Sequence, residues 1–238
     1  MHEPLGTFDF HDADAAVLVA AIVHQRETKA LVPLYEAVNR DLAVETAKKA
    51  KAEGVKQLIL LSTMSVYGLS TGVITADTVP HPVTAYGRTK LEAERAIAAL
   101  ADETFTVTIL RSPLVVGKDA KGNCQRLERL ARKLPFSPDI ENRRSLVRIE
   151  MLCEVLECSL EKPQSGIFFP QEPKPIATRD MIEEMAADAG RTLRRSKLLN
   201  PAIRLFRVLT TTGKKAFGDL IYQDLSALPL SALKEERP

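Results

Sequence analysis

Gln57-Leu-Ile-Leu-Leu-Ser-Thr-Met-Ser-Val-Tyr-Gly68, followed after a loop by Ala85-Tyr-Gly-Arg-Thr-Lys90, decides how this chain folds. Leu58 to Leu61 is an unbroken apolar run, the pattern of a strand buried on both faces of a parallel sheet. Tyr86 and Lys90 stand four apart at the start of a stretch that reads as a helix from Tyr86 to Ala101, which places both on one helical face. A buried strand over Gln57 to Ser62 would deliver the Thr63 hydroxyl to the same cleft. A phenol with an ordinary pKa of roughly 10 is a poor base at neutral pH, but a cation nearby lowers that value. Proton transfer is most effective when the pKa approaches working pH. Thr63, Tyr86 and Lys90 are therefore the candidate catalytic set.

Working outward, Ala15 to Ala21 is a second unbroken apolar run and the first strand expected in the chain. A helix follows from about Leu31 to Glu53, closed by Gly54, a residue common just past helix ends. Residues 69 to 85 read as a loop and Thr106 to Arg111 as a third strand. Strand and helix alternate, which predicts a parallel α/β sheet with helices on both faces. From about Val116 the pattern changes to loops, short basic helices and proline-rich connections. In that part Gly166 to Pro170 reads as a further strand, Thr178 as the N-cap of a helix over Arg179 to Ala189, and Gly190 as its C-terminal stop.

Composition narrows the function. With 45% hydrophobic and 27% charged residues, the 238-residue chain has the profile of a water-soluble globular protein. Its 33 basic and 31 acidic residues leave a formal charge of +2, too even for nucleic acid or an anionic membrane to be the main partner. The longest apolar run, Ala15 to Val23, is far short of the ~20 residues that span a bilayer. Met1 to Gly6 carries no basic flank before an apolar stretch, so a cytoplasmic protein is expected. Cys124, Cys153 and Cys158 show no disulfide or metal spacing and read as reduced packing residues, the last two on a buried helix. The four histidines are scattered, and no metal site is expected.

One expected motif is absent. Dinucleotide-binding folds place a Gly-x-Gly-x-x-Gly turn at a helix N-terminus, where glycines let the pyrophosphate approach the backbone. No three of the eleven glycines here fit that spacing.

With these residues in view, the chain resembles the extended short-chain dehydrogenase/reductase superfamily, and within it the NAD-dependent epimerase/dehydratase family of the UDP-glucose 4-epimerase type. Ser62-Thr-Met-Ser-Val-Tyr-Gly68 is similar to that family's Ser-Ser-x-x-Val-Tyr-Gly signature, and Tyr86 and Lys90 match its Tyr-x-x-x-Lys pair. Asp14 to Ala21 looks like the family's fourth strand. The resemblance thus implies a Rossmann-like, doubly wound parallel sheet lacking its first strands, an N-terminally truncated member. It implies a partial NAD-binding domain over residues 1–115 and a smaller substrate-binding lobe over 116–238, with elements returning to the sheet.

The resemblance also implies roles. Thr63, Tyr86 and Lys90 would be catalytic. Ala20, Ala21, Ile22, Asn39, Ser62, Pro113 and Leu114 would join Tyr86 and Lys90 in contacting NAD, with Ser112 beside them. Thr63, Ser65, Asn123 and Arg144 would meet a UDP-sugar, Arg144 at the phosphates. Met64 and Ser65 stand where family dehydratases carry Asp-Glu, which favours an epimerase or simple reductase. The reading implied is a nucleotide-sugar epimerase working through a transient keto sugar, dimeric as many members are, in polysaccharide biosynthesis. The alternatives are an inactive remnant, a sugar-nucleotide-binding module, one half of a split enzyme, or a reductase or dehydratase.

Overall fold

A computed structural model describes residues 9–23, 27–118, 120, 123–198, 200–223 and 225. In chain order the first half holds β1 (Ala15–Leu18), α1 (Val32–Tyr35), α2 (Ala43–Ala52), β2 (Gln57–Thr63), β3 (Gly72–Ile74), α3 (Ala85–Ala98), β4 (Thr106–Ser112) and β5 (Leu114–Val116). The second half holds α4 (Asn123–Lys133), β6 (Ser137–Pro138), β7 (Leu146–Arg148), α5 (Ile149–Glu161) and β8 (Gly166–Phe168). It ends with α6 (Thr178–Asp188), β9 (Arg195–Ser196), α7 (Asn200–Leu209), α8 (Thr211–Phe217) and β10 (Leu220–Tyr222).

The main sheet is parallel throughout, in the order β1-β2-β4-β8. Along β2 the apolar run divides between two cores. Leu58 and Leu60 face Ala43, Ala47 and Ala50 of α2 and Ala93 and Ile97 of α3. Ile59 packs with Leu110, Phe168 and Val155 of α5. Helices therefore cover both faces, as the alternation predicts, and small alanines on α2 and α3 let those helices lie close against the branched residues of the sheet. Two further parallel pairs, β3 with β10 and β5 with β7, bring the second half of the chain back to the first, and a third, β6 with β9, lies within the second half.

The structure corrects several expectations. The strand expected over 15–21 ends at Leu18, because β1 pairs with β2 only from Ala15–Gln57 to Leu18–Leu60. Nor is it buried on both faces: Ala16 is buried, but Val17 is 38% exposed and Val19 just beyond it 58%. β1 lies at the edge of the sheet, with α2 covering one of its faces. The loop expected over 69–85 contains β3, held by a partner, β10, distant in sequence. Thr178 is not the N-cap of α6; Ala177 is, and the Thr178 hydroxyl instead donates to the carbonyl of Ala216 at 2.6 Å. Of the two cysteines on α5, Cys158 is buried and Cys153 exposed.

Candidate active site

The C-terminal ends of β1, β2 and β4 form one edge of the sheet, the edge where ligands gather in open α/β folds. The parallel register puts Ser62 beside Arg111 and Thr63 beside Ser112, so Thr63 stands on the last paired rung of β2 and β4. The chain then turns through Met64–Tyr67 in a single tight helical turn, with Thr63 as its cap. The Thr63 Oγ accepts from the Ser65 backbone N–H at 3.1 Å and lies 3.2 Å from the Ser65 hydroxyl. Gly68 closes the turn with φ of 70°, where a Cβ would stand 2.1 Å from the His81 carbonyl oxygen. Only glycine fits there.

Helix α3 is set against this turn just as tightly. Thr84 caps it by accepting from the Gly87 N–H at 3.0 Å. At Gly87 a Cβ would approach the Ser65 carbonyl oxygen to 2.6 Å. That close approach brings Tyr86, one residue earlier, near enough to the Thr63 hydroxyl for that hydroxyl to favour its phenolate. Lys90 follows one turn later and is 2% exposed. Thr63, Tyr86 and Lys90 are thus brought together on the two elements expected to carry them.

The electrostatics differ from the expectation. Burial raises the Tyr86 phenol above its ordinary value, with the Thr63 hydrogen bond opposing and nearby Tyr35 reinforcing the rise. Burial pushes the Lys90 ammonium down to about 8, and the Glu94 carboxylate opposes that fall. The expected depression of Tyr86 by the lysine cation is therefore not the balance found. Removing both groups from water penalises phenolate and ammonium alike, and that penalty dominates.

The remaining candidates fall into three groups. Ala20, Ala21 and Ile22 follow the end of β1, where buried Asn39 fixes the chain: its Oδ1 accepts from the Ile22 N–H at 2.7 Å and its Nδ2 donates to the Ile22 carbonyl at 3.0 Å. Asn39 lies in a seven-residue π-helical segment, Glu36–Leu42, between α1 and α2, a winding often found at functional sites. Pro113 and Leu114 follow Ser112 directly, beside Thr63 in the sheet. The buried Ser112 hydroxyl has no hydrogen-bond partner among the described residues. Arg144 stands elsewhere, at a junction with Ile176 and Leu220, where its Nη1 donates to the Gly218 carbonyl at 3.1 Å. Burial lowers its pKa, with Asp219 opposing. Asn123 begins α4, but its side chain lies outside the described residues, as does Gly122.

Sequence reasoning missed two features. The Glu27 carboxylate accepts from the backbone N–H groups of Ala85 and Tyr86, at 3.1 and 3.0 Å, and so completes the N-terminus of α3. Nothing in the residues around Glu27 signals that role. Beneath Lys90, Glu94 and Arg111 form a buried ion pair at 2.7 Å. Here a signal was available, since an arginine inside an apolar strand needs a partner. Elsewhere, Asp9, His11 and Glu53 offer ligand atoms within 4.8 Å of one another, but Asp9 and Glu53 already hold His11 and Lys49 at the surface. A cavity of about 470 Å³ touches Tyr67, Arg111, Thr78 and Phe169, not Tyr86 or Lys90. No described helix is long and apolar enough to cross a membrane.

The donor set tests whether NAD would fit. A buried ammonium, a phenol and two hydroxyls, one of them unpartnered, suit the nicotinamide and ribose end of a dinucleotide. No glycine-rich turn is present in the sequence for the pyrophosphate.

Comparison with known proteins bears on the family and the fold. A UDP-glucose 4-epimerase from Vibrio cholerae is 34% identical over 178 residues, which are 70% of this chain and 54% of that protein. The chain therefore spans about half the length of this curated relative. Among solved structures, a UDP-glucuronic acid 4-epimerase from Bacillus cereus in complex with NAD superposes with a TM-score of 0.67 at 21% identity, covering 91% of this chain and 76% of that one. MoeE5 in complex with UDP-glucose and NAD gives 0.67 at 19% identity, covering 98% and 78%. These two likenesses establish a shared fold. With residues 5–168 matching its sequence pattern, and with the Thr63, Tyr86 and Lys90 arrangement in place, the chain belongs to the NAD dependent epimerase/dehydratase family.

Proposed function

We propose that this chain carries the catalytic group of an NAD-dependent nucleotide-sugar epimerase, which oxidises a UDP-sugar transiently to a keto sugar and reduces it again on the other face. The observation that carries this reading is the convergence of Thr63, Tyr86 and Lys90 at the end of β2 and the start of α3. The named relatives support it: the Vibrio cholerae protein is a UDP-glucose 4-epimerase, and MoeE5 holds UDP-glucose with NAD.

Tyr86 takes the proton from the reacting sugar hydroxyl and later returns it. Thr63 hydrogen-bonds the same oxygen and keeps it in line with the phenol. Lys90, as the ammonium, holds the nicotinamide ribose hydroxyls. Ala20, Ala21, Ile22, Asn39, Ser62, Pro113 and Leu114 line the same side, Asn39 through the backbone it fixes. NAD, held by these residues, would supply the hydride acceptor and donor. Ser65, Asn123 and Arg144 belong to the UDP-sugar, and Arg144, tied to one carbonyl, keeps donors for a phosphate. On this reading residues 1–115 serve the cofactor, 116–238 the substrate, and the assembly is a homodimer.

Sugar-nucleotide binding without turnover is the second reading, favoured by the burial that raises the Tyr86 phenol and keeps it protonated at neutral pH. Product analysis separates the two. With NAD and UDP-glucose, the wild-type chain is expected to form an epimer, and Tyr86→Phe to lose ~10²- to 10⁴-fold in rate while still binding. Binding with no product from the wild type would favour the second reading.

A further inference from the structure

We infer that Glu94 is the positioning residue of this site, its buried carboxylate joining the Lys90 helix to the strand ends that carry Thr63 and Ser112. The inference rests on the proposed roles of Thr63, Tyr86 and Lys90. Glu94 accepts from the Ser62 hydroxyl and from Arg111, Nε at 3.2 and 3.1 Å to the two oxygens and Nη2 at 2.7 Å. Ser62 and Arg111 are register partners on β2 and β4, and the next rung is Thr63 beside Ser112. One carboxylate thus clamps the rung directly below the one that holds the candidate hydroxyls.

The clamp extends further. Arg111 donates through Nη1 to the Tyr67 hydroxyl at 2.8 Å, its guanidinium lying 5.2 Å from the centre of that ring. The Tyr222 hydroxyl of β10 donates to the Arg111 carbonyl at 2.9 Å. β2, α3, β4 and the turn that carries Tyr67 are thus tied through this one ion pair, and β10 joins them at the Arg111 backbone. A buried pair is a poor device for stability alone, since apolar residues of like volume often serve as well. Its placement under the site gives it a second purpose.

That purpose concerns Lys90, one helical turn before Glu94. Burial favours the neutral amine and the Glu94 charge opposes it. Other ionisable groups near this helix are Tyr86 and Arg95 on α3, Glu27, whose carboxylate is engaged by the first backbone N–H groups of α3, Tyr35 on α1, Tyr67 in the turn after β2 and Arg111 on β4; β2 itself carries none. Glu36 and Arg40 of the π-helical segment engage Arg88 and Glu92, and Glu45 and Lys48 of α2 are exposed. Glu94 is thus the carboxylate that acts on Lys90.

The test follows the Lys90 side chain by NMR of the full chain with ¹³C-labelled lysine, the signal assigned with Lys90→Met. Glu94→Gln is expected to move the Lys90 titration to lower pH and to weaken NAD binding at mildly alkaline pH. Glu94→Gln leaves Arg111 unpaired and risks misfolding, so Glu94→Gln with Arg111→Met, which removes both charges, is measured beside it. A downward shift is expected in both, smaller in the double variant, which also loses the Arg111 cation. An unmoved Lys90 titration in a folded variant that has only lost thermal stability would overturn the inference and leave Glu94 a brace. The titration reads Glu94 even if the wild type forms no product, so failure of the epimerase reading is seen separately.

Discussion

Lys90 carries a cost that its proposed role would explain. Its pKa of about 8 in the folded chain lies below the ordinary lysine value of 10.5. Below pH 8 both folded and unfolded chains hold the proton, and the folded one holds it in a buried place. Between about 8 and 10.5 the folded chain has released it while the unfolded chain has not, so stability contributed by this group rises with pH across that window. The difference amounts to on the order of 3 kcal/mol. Lys90→Met is therefore expected to be more stable than the wild type at pH 7, with the gain shrinking toward pH 10, as read by urea unfolding at both values. Equal stability at pH 7 would show that the ammonium is not penalised. Tyr86 and Lys90 were legible in the sequence because helical spacing fixes which residues share a face. The raised phenol was not, because it comes from burial, which is set by segments that only the fold brings together.

At the scale of elements, two close contacts set the site. Asn39 satisfies both backbone groups of Ile22. Asn39→Ala leaves them unpaired and is expected to cost about 1–3 kcal/mol and to speed exchange of the Ile22 amide. Unchanged exchange at Ile22 would show that this stretch is held elsewhere. Gly87 makes the second contact. In an open helix, Gly→Ala gains about 1 kcal/mol. Here the new Cβ would meet the Ser65 carbonyl oxygen at 2.6 Å, so Gly87→Ala is expected to lower the melting temperature and to part Tyr86 from Thr63. A rise in melting temperature would mean that α3 has room to move. β2, α3 and β4 were readable because each carries a long periodic or unbroken pattern. β3, β6 and β9 were not, since strands of two or three residues are defined by distant partners, as Gly72–Ile74 is by Leu220–Tyr222. The Thr178 cap was misread because its hydroxyl finds Ala216, far along the chain.

Across the whole molecule, a four-stranded parallel sheet carries its candidate chemistry at one edge, and the late elements fold back onto it. β8 adds to β4, α5 covers the second face, and β10 reaches Arg111 and β3. The strands β1, β2, β4 and β8 and the alternation of helices were legible in the sequence; their order in the sheet came only from the pairing registers. The return of β10 was not, because Leu220 to Tyr222 is a short apolar segment whose place is set by Ser145, Arg143 and β3. The central claim is that this assembly holds NAD at Tyr86 and Lys90, with Thr63 beside them for the sugar hydroxyl. The most direct test is calorimetric titration of the full chain with NAD, with and without UDP-glucose, beside Lys90→Met. Saturable binding, weakened in Lys90→Met, is the result expected. A folded chain that takes up no NAD under either condition would contradict the claim.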